Sequence, residues 1–147
     1  MNHRMTGDHE ARPAPRPTEG DASIVLQLAR WSTELGMTEA LSFLLSEAFP
    51  TTFEAFRSGH PAGSGGDEQF LTICRFYETV GTLWKHDLIN EDLLFDWLAI
   101  ALVWERLEAI AVGHRAERHN ESLWENFEAL AGAQAAAELG SPGEPEA

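Results

Sequence analysis

Apolar side chains recur along this chain every three to four residues, and no stretch alternates with period two, which predicts helices and no strands. The first stripe is Ile24, Leu28, Trp31 and Leu35, with Asp21 placed to cap its start and Gly36 to end or kink it. A second helix is expected from Thr38, turning Leu41, Leu44, Leu45 and Ala48 inward and stopping before Pro50. Thr51 and Glu54 have capping-box spacing, so a short helix can follow. Ser58–Gly66 (SGHPAGSGG) reads as a flexible loop.

The strongest pattern lies between Arg75 and Leu107. Asp67 is expected to cap a third helix with the stripe Phe70, Ile73, Cys74, Tyr77, Val80, Gly81 and Trp84. After the turn HDLIN, Asn90 caps a fourth, with Glu91 and Asp92 at the positive end of its macrodipole. Leu93, Trp97, Ile100, Trp104, Leu107 and Ala111 form one face of it, widened by Leu94, Leu98 and Ala101, as in a helix covered on more than one side. Gly113 is expected to end it. A last helix runs from about Asn120 to Leu139. These elements predict an all-α fold, a small bundle of about five helices around a central antiparallel pair. Residues 21–138 make the single helical domain, and 1–20 and 139–147 are too poor in large apolar residues to repay their ordering entropy, so both are expected to be disordered tails. Met5 is an alternative start to Met1.

If the turn between the paired helices centres on Leu88 and Ile89, residues whose numbers sum to about 177 lie level. Gly81 then faces Asp96 and Trp97, Tyr77 lies level with Ile100, and Arg75 reaches Glu105 across the gap or Glu78 on its own helix.

Composition narrows the function classes. Residues 21–138 carry 19 acidic against 7 basic side chains, and Lys85 is the only lysine, so phosphate backbones are repelled and no nucleic-acid partner is expected. The longest uncharged apolar run, Trp97–Trp104, has eight residues, whereas a membrane span needs roughly 20. A single cysteine excludes an internal disulfide, and the N-terminus lacks a secretion signal's arrangement; both fit a soluble, cytoplasmic protein.

Catalytic constellations are missing. Cys74 sits inside an apolar stripe, and the nearest histidine downstream, His86, is roughly 18 Å away along a straight helix, so Cys74 reads as buried and inert. His114 and His119 are five apart, on different helix faces, and no zinc spacing occurs, so neither metal nor cofactor is expected. GSGG at Gly63–Gly66 is followed by Asp67 and Glu68 and lacks a lysine, so it cradles no phosphate. The helix–turn–helix outline of Leu83–Leu98 has a second helix opening on Glu91 and Asp92, wrong for a DNA groove. The five tryptophans fall on helical stripes and read as core. Arg75, Glu78, Glu105 and Arg106 remain as candidate functional or ion-pair residues. Asp96 is the other acid expected to be partly buried. Glu117, Glu121, Glu125 and Glu128 form an acidic edge on the last helix, either solvated or a docking surface for a basic partner.

The run Phe76-Tyr77-Glu78-Thr79-Val80-Gly81-Thr82-Leu83, with Asp87-Leu88-Ile89-Asn90 and Trp104-Glu105-Arg106-Leu107, resembles the pattern FYE-x-x-G-x-L-x-x-x-G-L-I followed by a helix with a late tryptophan and an arginine. Leu123-Trp124-Glu125-Asn126-Phe127-Glu128-Ala129-Leu130 resembles its closing segment. The pattern is that of an uncharacterised bacterial helical family, domain of unknown function 4760. The resemblance covers about Asp21–Ala131, and departs at Asp87, where glycine is usual. It implies a helical domain and brings no catalytic residue. Two readings stay open: a non-enzymatic interaction module that docks a protein partner or a second copy, and a small-molecule binder or enzyme with a pocket between the third and fourth helices.

Overall fold

A computed structural model describes residues 15–140, and among these it contains seven helices and no strand. They are α1 (Glu19–Glu34), α2 (Met37–Leu44), α3 (Phe53–Gly59), α4 (Gly65–Lys85), α5 (Glu91–Trp97), α6 (Ile100–Glu117) and α7 (Glu125–Gly140). The all-α class stands, and the count of five becomes seven. Most of the expected tails, residues 1–14 and 141–147, lies outside the described residues.

Several helix starts differ from the sequence reading because another polar side chain takes the orphan N–H groups. Thr18, not Asp21, caps α1, and Asp21 closes the capping box by accepting from the Thr18 backbone N–H at 2.7 Å. The other Asp21 oxygen accepts from the Asn90 N–H at 3.0 Å, tying α1 to the α4–α5 turn. The hydrogen bonds from Thr18 and Asn90 hold the Asp21 carboxyl below its ordinary pKa. Gly36, at φ 75°, ends α1 in a left-handed turn and opens α2. Thr52 caps α3 by accepting from Ala55, one residue along from the expected box. Ser64 caps α4, which frees Asp67 for another role.

α4 ends as the turn pattern requires. Leu88 N–H donates to the Leu83 carbonyl at 2.9 Å and Asp87 N–H to Trp84 at 3.0 Å, a Schellman closure with Asp87 at φ 56°. That left-handed position is the physical reason glycine suits this site. Asn90 caps α5 as expected, accepting from Leu93 N–H.

The expected fourth helix is two helices. Leu98 is extended (φ −117°, ψ 134°), and α6 starts afresh at Ile100. Gln134 on α7 fills the gap: its Oε1 accepts from Ala101 N–H at 2.8 Å and its Nε2 donates to the Leu98 carbonyl at 2.6 Å. Gly113 does not end α6, which runs on to Glu117. Its missing side chain makes room for the Phe53 ring, which a Cβ there would meet at 2.1 Å. α7 starts at Glu125, after a turn in which His119 and Trp124 are left-handed.

The break redirects the packing, so the register predicted for the central pair does not form. Gly81 faces α7: a Cβ there would lie 2.5 Å from the Asn126 carbonyl oxygen. α4 packs chiefly on α7 and α2, and α6 on α7 and α3. The antiparallel partners are α6 and α7, with Ala101 meeting Gln134 at one end and Arg115 meeting Glu128 at the other. Phe56, Phe70, Phe76 and Phe127 are fully buried with Leu44, Ile73, Leu107 and Leu130, each contributing about 2 kcal/mol or more by leaving water.

Candidate functional site

The four candidate residues do not converge. Glu78, half-buried on α4, accepts from the backbone N–H groups of Asn126 (3.3 Å) and Phe127 (2.8 Å). It is the N-cap of α7, supplied from another helix, with its charge at the positive end of that helix. Around it, Tyr77 stacks on Phe127 at 4.9 Å, Gly81 admits the Asn126 carbonyl, and the Asn126 amide donates to Thr82 Oγ1 at 3.1 Å. These residues form one α4–α7 joint.

Arg106 donates to the carbonyls of Leu44 (3.0 Å) and Ser46 (2.9 Å), neutralising the C-terminal end of α2. Arg75 is exposed and makes no ion pair among the described residues, with Glu105 or any other acid. Glu105 points outward from α6, and Asp96 is exposed on α5 rather than partly buried. Arg115 pairs with Glu128 at 3.0 Å, donates to the Leu123 carbonyl at 2.6 Å and lies over the Trp104 ring.

Two polar clusters escaped the sequence reading. Arg57 holds the half-exposed Glu117 with two bonds (2.8 and 3.0 Å) and the buried Asp67 with one (2.9 Å). Burial opposes the Arg57 charge, but both acids outweigh it and keep the guanidinium ionised. The second Asp67 oxygen accepts from Gly63 N–H, so this cluster ties α3, the glycine loop, α4 and the end of α6 together. The expected acidic edge of the last helix is thereby divided, since Glu117 belongs to α6 and is paired. In the other cluster, Trp124 Nε1–H donates to Nδ1 of buried His114 at 3.3 Å, with the rings stacked and Phe70 edge-on. Burial lowers the His114 pKa, which favours the neutral ring that this bond needs.

Burial, with Glu78 nearby, pushes the Cys74 thiol well up, so no thiolate forms at neutral pH. Burial also pushes Tyr77 up to about 12. Among the described residues, no three His, Cys, Asp or Glu side chains gather as a metal site, and no helix is long and apolar enough to cross a membrane.

The surface feature left over is the outer face of α6. Leu102, Glu105, Ala109 and Val112 share an arc of about 80° on it, with Leu102 54% and Val112 50% exposed. An open groove of about 570 Å³ separates this face from α7, with Trp104, Glu105, Ala131, Gly132 and Ala135 among its walls. A second, of about 600 Å³, separates it from α3, with Phe53, Glu54, Glu105, Glu108 and Val112 in its walls. Trp104 thus lines a groove, but between α6 and α7, and Tyr77 is buried under Phe127.

A sequence model of one family, Domain of unknown function (DUF4760), matches residues 17–133. The chain belongs to this family. The match runs from the α1 capping box well into α7 and includes the whole α4–α7 joint. Neither the curated proteins nor the solved structures contain a match to the chain.

Proposed function

We propose that this DUF4760 domain is a non-enzymatic interaction module that docks a protein through the outer face of α6. The supporting observation is the pairing of Leu102 and Val112 on one arc, between two grooves. The other large exposed aliphatics lie off α6, Leu26 on α1, Leu45 just after α2, Leu88 in the α4–α5 turn and Leu139 on α7. The charged residues able to do chemistry are mostly committed: Glu78 and Arg106 to helix ends, Arg57, Asp67 and Glu117 to one another. The reading includes a bacterial, cytoplasmic setting, supported by the lone buried Cys74, and no nucleic-acid partner, supported by the net charge of −14.

The test is a photo-cross-linking side chain in place of Ala109, read in cells by mass spectrometry alongside sedimentation of the purified chain. Cross-links to one protein, or to a second copy, are expected from position 109 and not from a control at exposed Arg30. A monomeric profile with no excess at position 109 sinks the proposal.

The second reading, a small-molecule site, draws on the α6–α7 groove alone, whose volume exceeds the roughly 300 Å³ a ligand pocket needs. Quenching of Trp104 emission by a bound metabolite, measured against Trp104→Phe, is its test.

A further inference from the structure

We infer that the outer face of α6 receives a basic amphipathic helix of a partner protein. The inference rests on the docking role proposed above and names the partner's chemistry. The shape is suited to a helix. Leu102, Ala109 and Val112 recur along one side of α6 at seven- and three-residue steps, the spacing with which one helix packs on another. The grooves flanking this ridge run alongside α6, and the α7 side is floored by Ala131, Gly132 and Ala135. A Cβ added at Gly132 would meet nothing within 4 Å, so side chains from outside can enter there.

Charge selects the occupant. Glu105 and Glu108 stand in both grooves, Glu54 adds to the α3 side and Glu128 and Glu138 to the α7 side. Of these five, only Glu128 has an ion-pair partner among the described residues, Arg115. Arg106, the cation nearest the ridge in sequence, is spent on the carbonyls of α2. An arriving helix therefore meets the apolar side chains Leu102, Ala109 and Val112 with Glu105 among them and further carboxylates along both edges, which suits Leu or Ile at helical spacing with Lys or Arg beside them. A second copy fits poorly. A two-fold axis across this face sets the glutamates of one α6 among those of the other, and the grooves' linings hold no cation among the described residues to separate them. An anionic lipid surface is repelled for the same reason.

The experiment uses the full chain and an end-capped peptide of about 18 residues, built from Leu at helical spacing with Lys elsewhere. Fluorescence anisotropy reads its binding, and a peptide with the same leucines but Glu for Lys is the control. Saturable binding of the basic peptide is expected, weakened roughly tenfold by E105K/E108K or Val112→Glu and weakened again between about 50 and 500 mM salt. Charge reversal at the exposed acids beside and at the start of α7, E121K/E125K, is expected to weaken it far less. All three variants alter exposed positions, and circular dichroism checks that each remains helical. The inference is overturned if the basic peptide does not bind, if both peptides bind alike, or if E121K/E125K has the larger effect. Binding of the acidic peptide alone, lost in Val112→Glu, rejects the basic partner and leaves the docking face standing. Failure of both peptides, with no cross-link from position 109, rejects both. Dimerisation abolished by Val112→Glu replaces the partner helix with a second copy.

Discussion

The α4–α7 joint and the outer face of α6 are built from similar materials, a glycine, an aromatic and glutamates, and they use them in opposite ways. At the joint every group has a partner within the chain: Glu78 caps α7, Gly81 admits a backbone carbonyl, and Tyr77 lies between α4 and Phe127. On the α6 face, Glu105 and Glu108 pair with no cation among the described residues, Gly132 looks onto open space, and Leu102 and Val112 stand half in water. A carboxylate beside an aromatic is therefore no sign of chemistry by itself. What matters is whether the fold has already used it.

Substitutions can break this contrast. The largest expected effect is at Phe127, fully buried against Tyr77 and Trp104. Phe127→Ala should cost about 4 kcal/mol in urea unfolding, and a loss under 1 kcal/mol would mean that the joint is not a centre of the core. Gly81→Ala should cost about 2 kcal/mol despite alanine's better helix propensity, because the obstacle is backbone and cannot rotate away. Crystals of the variant should show α7 displaced from α4. Glu78→Gln keeps an acceptor but removes the charge at the helix end, for an expected loss of about 1 kcal/mol that shrinks with added salt.

His114 gives a pH-dependent test. Its folded pKa lies below the ordinary 6.5, so the unfolded chain takes up a proton first as the pH falls. Its contribution to stability is complete above that value and declines below it. Thermal midpoints between pH 7.5 and 5 should therefore fall more steeply for the wild type than for His114→Gln; parallel curves would show that burial does not hold the ring neutral. The smallest effect is on the other side of the comparison. Gly132→Ala meets nothing, so it should stabilise α7 by about 0.5–1 kcal/mol. Destabilisation there would show that the groove is narrower than its walls indicate.

The four long helices and the Asn90 cap could be read from the sequence because their causes are local. An apolar stripe repeats within a turn, and a cap finds its donor three residues on. The break at Leu98–Ala99 gave no such signal. Trp97-Leu98-Ala99-Ile100 contains neither glycine nor proline, and the groups that make the break tolerable belong to Gln134, 36 residues from Leu98. Gly113 misled for a related reason: in mid-helix it serves Phe53, not a terminus. Of the candidate functional or ion-pair residues, Glu78 and Arg106 bind backbone groups 48 to 62 residues away, which no local pattern announces. Asp67 reads from sequence as a cap, His114 only as an unmatched metal ligand and Arg57 as nothing, because Arg57, Trp124 and Glu117, the partners that define their roles, lie 10 to 60 residues away.

Taken alone, the sequence determined that this chain is helical and roughly where its helices lie. Only the tertiary structure decided which stripe meets which, that α7 rather than the following helix fills the space beside Gly81, and that the outer side of α6 is left uncovered. Hydrogen bonding along a helix is local and directional, so its pattern is written within a few residues. Burial of apolar surface has no direction, and any stripe of the right width can cover another until the volumes and caps of the whole chain choose among them.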